Sequence, residues 1–465
     1  MFDKDIYIKR RKRLKESQHG GVLLFLGNEE SPINYRDNTY HFRQDSTFLY
    51  YFGLKNPGLA AIIDLDENKE IIFGNEMTID EIVWMGQLKT LKESCEETGI
   101  TTVLPAKDLK EYLDKSLKNG RKIHFLPPYR AENKIRLNFL LGTDIFKTDE
   151  HSSLSFIKAV AAQRSVKTEE EIIEIEKAVN ISADMHMQAL KMAKPGMRES
   201  DIAAALHQIA LAAGGNLAYP VILTVHGEIL HNHYHGNLLK NGQMVLNDSG
   251  AETETGYCGD LTRTFPVSKS FTGSQKDMYN IVLSAYQAAV GALKPGIRYL
   301  DIHYTACKTL AEGLKDLGLM KGDIAEAVEA GAHAMFFQCG TGHMMGLDVH
   351  DMEDLGEQYV GYNEKLKKEK HLFGLKSLRL GKELEKGYVL TVEPGIYINP
   401  ALIDLWKSED KFVEFINYKK LEEYRHFGGI RIEDNFLITD SGSRLLGKPL
   451  PVSITEIENI RAAAL

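Results

Sequence analysis

The chain has 465 residues, more than the ~100–200 of one domain, so two domains are expected. Hydrophobic residues make up 43% and charged residues 26%, ordinary globular usage that lets a long chain bury a core without disulfide or zinc staples. With 56 Lys and Arg against 65 Asp and Glu the formal charge is -9, which argues against a broad electrostatic footprint for nucleic acid or an anionic membrane. Cys95, Cys258, Cys307 and Cys339 form no CxxC pair, and scattered thiols suit a reducing compartment. The opening segment has no apolar stretch of the secretory type, and no run of ~18 apolar residues occurs. Cytoplasm is the expected location, with neither nucleic acid nor membrane as partner.

The basic run Arg10–Arg13 reads either as a nuclear address or, more plainly, as the wet face of a first helix. Gly21–Gly27, Leu59–Asp64 and Glu70–Phe73 read as strands of an α/β domain, the last two parted by a turn at Asp64–Asn68. A boundary falls near Glu150–Lys167, which sets domains of 1–160 and 161–465. Thr168 and Glu171 form a capping box, and Ile172, Ile173, Ile175, Val179 and Ala183 follow at helical spacing until Pro195-Gly196.

The second part echoes itself. KPGMRESDI at 194–202 returns as KPGIRYLDI at 294–302, each between helical stretches. Strand candidates follow both copies: Val221–Val225 and Met244–Leu246 after the first, Val389–Val392 after the second. The matched order reads as a duplicated helix-plus-sheet unit with a pseudo-twofold axis, whose site would draw ligands from both halves. Residues 355–387, with the lysine-rich Lys365–Lys370, read as a solvated insertion; a phosphate-binding role is the less favoured alternative.

Four motifs carry chemistry. VLNDSGAETETGYCGDLTRTFPV (245–267) puts Asp248 near the end of one apolar strand and Asp260 near the start of the next. CGTGHMMGLDVHD (339–351) holds His343 and His350, VLTVEPGIYI (389–398) ends a buried-type strand at Glu393, and GGIRIEDNFLIT (428–439) sets Glu433 in an alternating strand. Singly, each has a plain reading as turn chemistry or a satisfied polar residue. Together they place four carboxylates on or beside apolar strands, where unpaired charge is expensive. Two divalent cations would balance four negative charges, and an oxygen-rich set with one histidine favours a hard or borderline ion such as Mn²⁺.

On these motifs the chain resembles the aminopeptidase P and prolidase family of metallopeptidases. Arg43–Gly58 is similar to the family's N-terminal domain and Lys167–Thr439 to its catalytic domain. The resemblance implies an α/β (α+β) fold, a creatinase-like N-terminal domain followed by a "pita-bread" catalytic domain. It implies Asp248, Asp260, His343, Glu393 and Glu433 as ligands of two divalent metal ions, with Asp260 and Glu433 bridging. It further implies Glu393 as proton carrier, His231 and His350 as substrate histidines, and Arg431 and Tyr397 flanking the ligands. The implied reaction is hydrolysis of an N-terminal Xaa-Pro bond by a metal-activated hydroxide. Proline-containing peptides are the implied partners, in a homodimer or homotetramer whose N-terminal domain helps cover a neighbour's site.

Three departures from the family pattern stand out. Asp248 and Asp260 are one residue further apart than usual, with the extra residue assigned to the ETETG turn. Cys339 replaces a usual histidine, a change on the substrate side that leaves the ligand set intact. His233 and His235 are read as a polar hairpin edge rather than extra ligands. GDLTRTFPV, GLDVHD and the His231–Asp248 spacing look more like an aminopeptidase P. Arg379, set before Glu393 like a prolidase's carboxylate-binding arginine, looks more like a strict Xaa-Pro dipeptidase, and it also has a reading as a solvated loop charge. Metal-free creatine hydrolysis and non-catalytic binding occur on the same fold, and the complete ligand set argues against both.

Overall fold

Val22–Leu26 is a run of five apolar residues, and its first four are buried although they alternate between the two faces of a strand. A strand apolar on both sides must be covered on both sides. The computed structural model, which describes residues 2–465, shows how. Val22 and Leu24 face a core with Ile62, Ile71, Leu113 and Leu137. Phe25, on the other face, packs edge-on against Phe52 and Phe156 at ring separations of 5.0 and 5.1 Å. The sheet has five strands in the order Thr102–Leu104, Lys69–Phe73, Ala60–Asp64, Val22–Leu26, Ile123–His124. The inner pairs are antiparallel, with Val22 opposite Asp64, and both outer pairs are parallel.

The chain divides into two compact units. One runs up to Arg164 and includes Met352–Val360; the other comprises Ser165–Asp351 and Gly361–Leu465.

In the first unit the basic run departs from expectation. Lys12 and Arg13 are exposed, but Arg10 and Arg11 are buried. The helix Ser46–Phe52 ends with carbonyls that have no partner in the helix itself. Arg10 donates to the Tyr50 carbonyl at 3.0 Å and lies over the Tyr50 ring, while Arg11 donates to Tyr51 at 2.8 Å and to Thr98 at 2.9 Å. These guanidiniums are structural donors, not a solvated face.

The second unit is built twice. The helices Glu169–Met192 and Glu199–Ala212 flank the first Pro-Gly stop, and Gly273–Ala292 and Tyr299–Asp316 flank the second. The copies make equivalent contacts. Gly196 N–H donates to Leu239 O and Gly296 N–H to Leu384 O, at 2.9 and 2.8 Å, while Arg198 bridges to Leu238 and Arg298 to Glu383. A sheet strand then begins at the same remove, at Met244 in one copy and Val389 in the other. Met244–Ser249 pairs antiparallel with Leu261–Pro266 and Ile222–Thr224; Asp434–Ile438 pairs antiparallel with Val389–Val392 and Ser443–Leu445. A bridge between Thr262 and Glu433 joins the two sheets.

The segment 355–387 is only partly the solvated insertion that its composition predicts. Lys365, Lys367 and Lys370 are exposed, but Leu355 and Val360 are buried in the first unit and Tyr362, Leu378, Leu380 and Leu384 in the second. Its spaced apolar residues anchor the chain on either side of the lysine run.

Candidate active site

The two sheets bring four carboxylates and a histidine to one place. Asp248 lies within Met244–Ser249, Asp260 just before Leu261–Pro266, and Glu393 just after Val389–Val392. Glu433 sits not inside a strand, as its alternating context predicts, but at the break between Gly429–Arg431 and Asp434–Ile438. The bridge to Thr262 holds it there, and a break lets its side chain leave the alternation. Strand register is unbroken from Met244 opposite Pro266 to Ser249 opposite Leu261. In the turn between these strands, where the extra residue is expected, Thr253 N–H donates to Tyr257 O and Gly256 N–H to Thr253 O.

His343 enters on a segment that only glycine allows so close. A Cβ on Gly342 would lie 2.2 Å from the Thr391 carbonyl. His343 Nδ1 bonds the Met344 carbonyl at 3.0 Å, which holds a proton on Nδ1 and turns Nε2 toward the carboxylates. Without a metal Asp260 and Glu393 favour a proton on Nε2, and a bound cation would take that proton's place. Nε2 lies 3.3 Å from Asp260 and 3.5 Å from Glu393. One donor atom each of Asp260, His343 and Glu433 falls within 4.8 Å of the others.

The electrostatics show what is missing from a protein-only balance. Burial raises Glu393 from the ordinary glutamate range to about 7, against the opposing pull of His343 and Arg431. Burial also raises Glu433 well above its usual range, with Asp260 and Glu393 adding to the shift. Asp248 is raised by burial despite Arg431. For Asp260 burial acts upward too, but the bonds from His343 and Tyr219 outweigh it and its pKa is lowered. Glu433 Oε2 accepts from Thr262 at 2.6 Å, whereas Oε1 is buried without a partner among the described residues. A buried carboxylate oxygen with nothing to accept from, inside a cluster of like charge, is the environment a cation completes. Oxygen donors with one imidazole fit a hard or borderline divalent ion.

The surroundings hold the cluster in place. Arg431 pairs with Asp248 and donates to Thr262 Oγ1 at 3.0 Å and Tyr397 Oη at 2.9 Å. Tyr219, which carries no motif and was missed in sequence, sets its hydroxyl 2.6 Å from Asp248 and 2.5 Å from Asp260, where its single proton is shared between the two carboxylates. Asn435 clamps the Asp260 backbone through bonds of 3.1 and 2.6 Å. A cavity of about 270 Å³ opens over the cluster, and His231, His233, Cys339, His350 and Arg379 line it with the five donors. Burial and the nearby Arg431 and Arg379 keep His231 below its ordinary pKa. The Cys339 thiol is pushed up to about 12 by burial, so it is neutral. His233 and His235 lie in an irregular loop rather than on a hairpin edge, and His235 Nε2 is tied to the Val221 carbonyl at 3.0 Å. His233 faces the cavity instead.

A fold of this kind around such a cluster has known relatives. The chain belongs to metallopeptidase family M24, whose model matches residues 174–440, and the aminopeptidase P N-terminal domain matches residues 7–124. It is 30% identical to a human Xaa-Pro dipeptidase over 465 residues, 97% of this chain and 90% of that one. It is 29% identical to the Xaa-Pro aminopeptidase of Escherichia coli K12 over 469 residues, 98% of this chain and 97% of that one. The structure of zinc-substituted E. coli aminopeptidase P in complex with product superposes with a TM-score of 0.81 at 27% identity, covering 100% of this chain and 99% of that one. The chain is thus a hydrolase with the pita-bread fold. Among the described residues no helix is long and apolar enough to cross a membrane.

Proposed function

We propose that this enzyme removes the first residue from peptides with proline second, as an Xaa-Pro aminopeptidase. The observation that carries the reading is the convergence of three buried carboxylates and the partly buried Glu393 on the cavity beside His343, with Glu433 Oε1 lacking a partner among the described residues. Asp248, Asp260, His343, Glu393 and Glu433 would hold two divalent ions, with Mn²⁺ the first choice for an oxygen-rich set. When bound, such ions supply Lewis acidity and lower the pKa of water. Glu393 takes a proton from water at its carboxylate and returns it to the prolyl nitrogen, which carries no hydrogen of its own in the peptide. His231 and His350, both lining the cavity, donate hydrogen bonds to substrate oxygens. The free amine of the substrate is attracted to the acidic cluster, which limits cleavage to the chain end.

Removing the metal tests this directly. Chelated protein, shown free of metal by elemental analysis, should lose Xaa-Pro hydrolysis, and Mn²⁺ should restore it best. Full activity without metal would sink the assignment.

A dipeptidase reading is kept because Arg379 lines the cavity, where it could hold a dipeptide's carboxylate. A charge-assisted bond of ~1.5–3 kcal/mol predicts that Arg379→Ala loses about 10–150-fold in kcat/KM on Xaa-Pro alone if it is that clamp. Hydrolysis of Xaa-Pro-Xaa by the wild type decides for the aminopeptidase, and its absence decides for the dipeptidase.

The reading extends to a cytoplasmic homodimer or homotetramer. The helix Ile79–Met85 supports association, because Ile79, Val83, Trp84 and Met85 are 76%, 74%, 86% and 71% exposed.

A further inference from the structure

A second cluster of metal-binding side chains lies outside the carboxylate site. The helix Tyr299–Asp316 carries His303 and Cys307 one turn apart on its buried side, and the short turn Ala332–Met335 brings His333 against them. All three are buried, and one donor atom from each lies within 4.8 Å of the others. Cys307 Sγ is 3.4 Å from His303 Nε2, and His303 Nδ1 bonds Thr341 Oγ1 at 2.8 Å. That outer bond orients the ring as a ligating histidine is oriented. Both ring nitrogens of His333 are buried and make no hydrogen bond of good geometry among the described residues, the Val328 backbone acting on the ring only weakly. Nothing in the proposed peptidase reaction uses these residues.

We propose that His303, Cys307 and His333 form a separate site for a borderline or soft cation of the zinc class, bound through two imidazoles and a thiolate. The donor chemistry separates the two sites: nitrogen and sulfur here, carboxylate oxygen and one imidazole at the other. Burial holds His303 at about 3 and His333 at about 4, so both are neutral and able to ligate at neutral pH. Burial raises the Cys307 thiol well above its usual pKa, so binding forms the metal–sulfur bond as the S–H proton leaves to solvent. The cation would fasten this helix to the turn bearing His333, next to the active-site support. Tyr299, on the same helix, sets its hydroxyl 3.0 and 2.7 Å from the carbonyls of Thr341 and Thr391, which share its one proton, and Glu393 N–H donates to Thr341 O at 2.7 Å.

Cobalt titration of the full, demetallated chain tests the site, because a thiolate ligand gives Co²⁺ a near-ultraviolet charge-transfer band that carboxylates do not. Wild type should show the band, and Glu433→Gln should keep it. Cys307→Ala should lose it, together with about one equivalent of tightly bound zinc per chain, and His333→Leu should weaken zinc binding at least ~10-fold. No band in the wild type, the result if His333 is merely met by buried water, overturns the proposal. A band that survives Cys307→Ala or His333→Leu overturns it as well. If Cys307→Ala fails to fold, His333→Leu and the wild-type spectrum still decide.

Discussion

Glu393 is the carboxylate most exposed to the cavity, at 18% of its side chain, and its pKa of about 7 places it where a proton can be both taken and returned. Glu393→Gln keeps the shape and removes the charge and basicity, so kcat should fall by ~10²–10⁴-fold even with metal content restored. Wild-type turnover in the metal-loaded variant would refute the role. Tyr219 acts at one remove: its hydroxyl bridges Asp248 and Asp260 and damps their repulsion. Tyr219→Phe should weaken metal binding ~10–100-fold, read by competition with a chelating dye, while far-ultraviolet dichroism stays unchanged. The carboxylates were legible in sequence because an acid beside an apolar strand is expensive and must be explained. Tyr219 was not, because a tyrosine before Pro220 and a short buried strand is ordinary packing material until its partners are known.

At the scale of elements, the repeated Pro-Gly stops proved the most informative pattern, since they mark equivalent hydrogen bonds as well as helix ends. The strands that hold Asp248 and Glu393 were readable for the same reason that they are buried: a short apolar run bounded by turn residues has few other fates. Charge runs misled. Arg10 and Arg11 look solvated in a basic helix, and only the distant Ser46–Phe52 carbonyls give them a reason to be buried. The loop bearing His350 has a comparable long-range tie. Lys167 and Asp351 form a buried pair at 2.8 Å, each side chain 1% exposed, linking the start of the Glu169–Met192 helix to the residue after His350. Lys167→Met removes one partner of a buried pair and should cost ~3–5 kcal/mol in stability. Because the displaced carboxylate adjoins His350, kcat should fall as well. A denaturant midpoint equal to wild type would show that the pair holds nothing.

For the molecule as a whole, the acidic cluster links stability, pH and metal. In the metal-free protein Glu393 titrates near 7 against 4.5 when unfolded, so between those values the folded state binds more protons and stability falls as pH rises. Glu433 and Asp248 shift the same way, and Asp260 alone is shifted downward. Cations bind the ionised carboxylates of the folded state, so they stabilise most where those carboxylates are charged. Calorimetry of stripped and Mn²⁺-loaded protein should therefore show a Tm difference that is small near pH 5 and grows as pH passes 7. In stripped protein near pH 8, Glu433→Gln should melt above the wild type, because a neutral amide needs no proton beside the other carboxylates, whereas the buried Glu433 must either bind one or carry an uncompensated charge. A Tm difference that shrinks as pH rises would mean that the four carboxylates are balanced by the protein alone, and would remove the ground for placing cations among them.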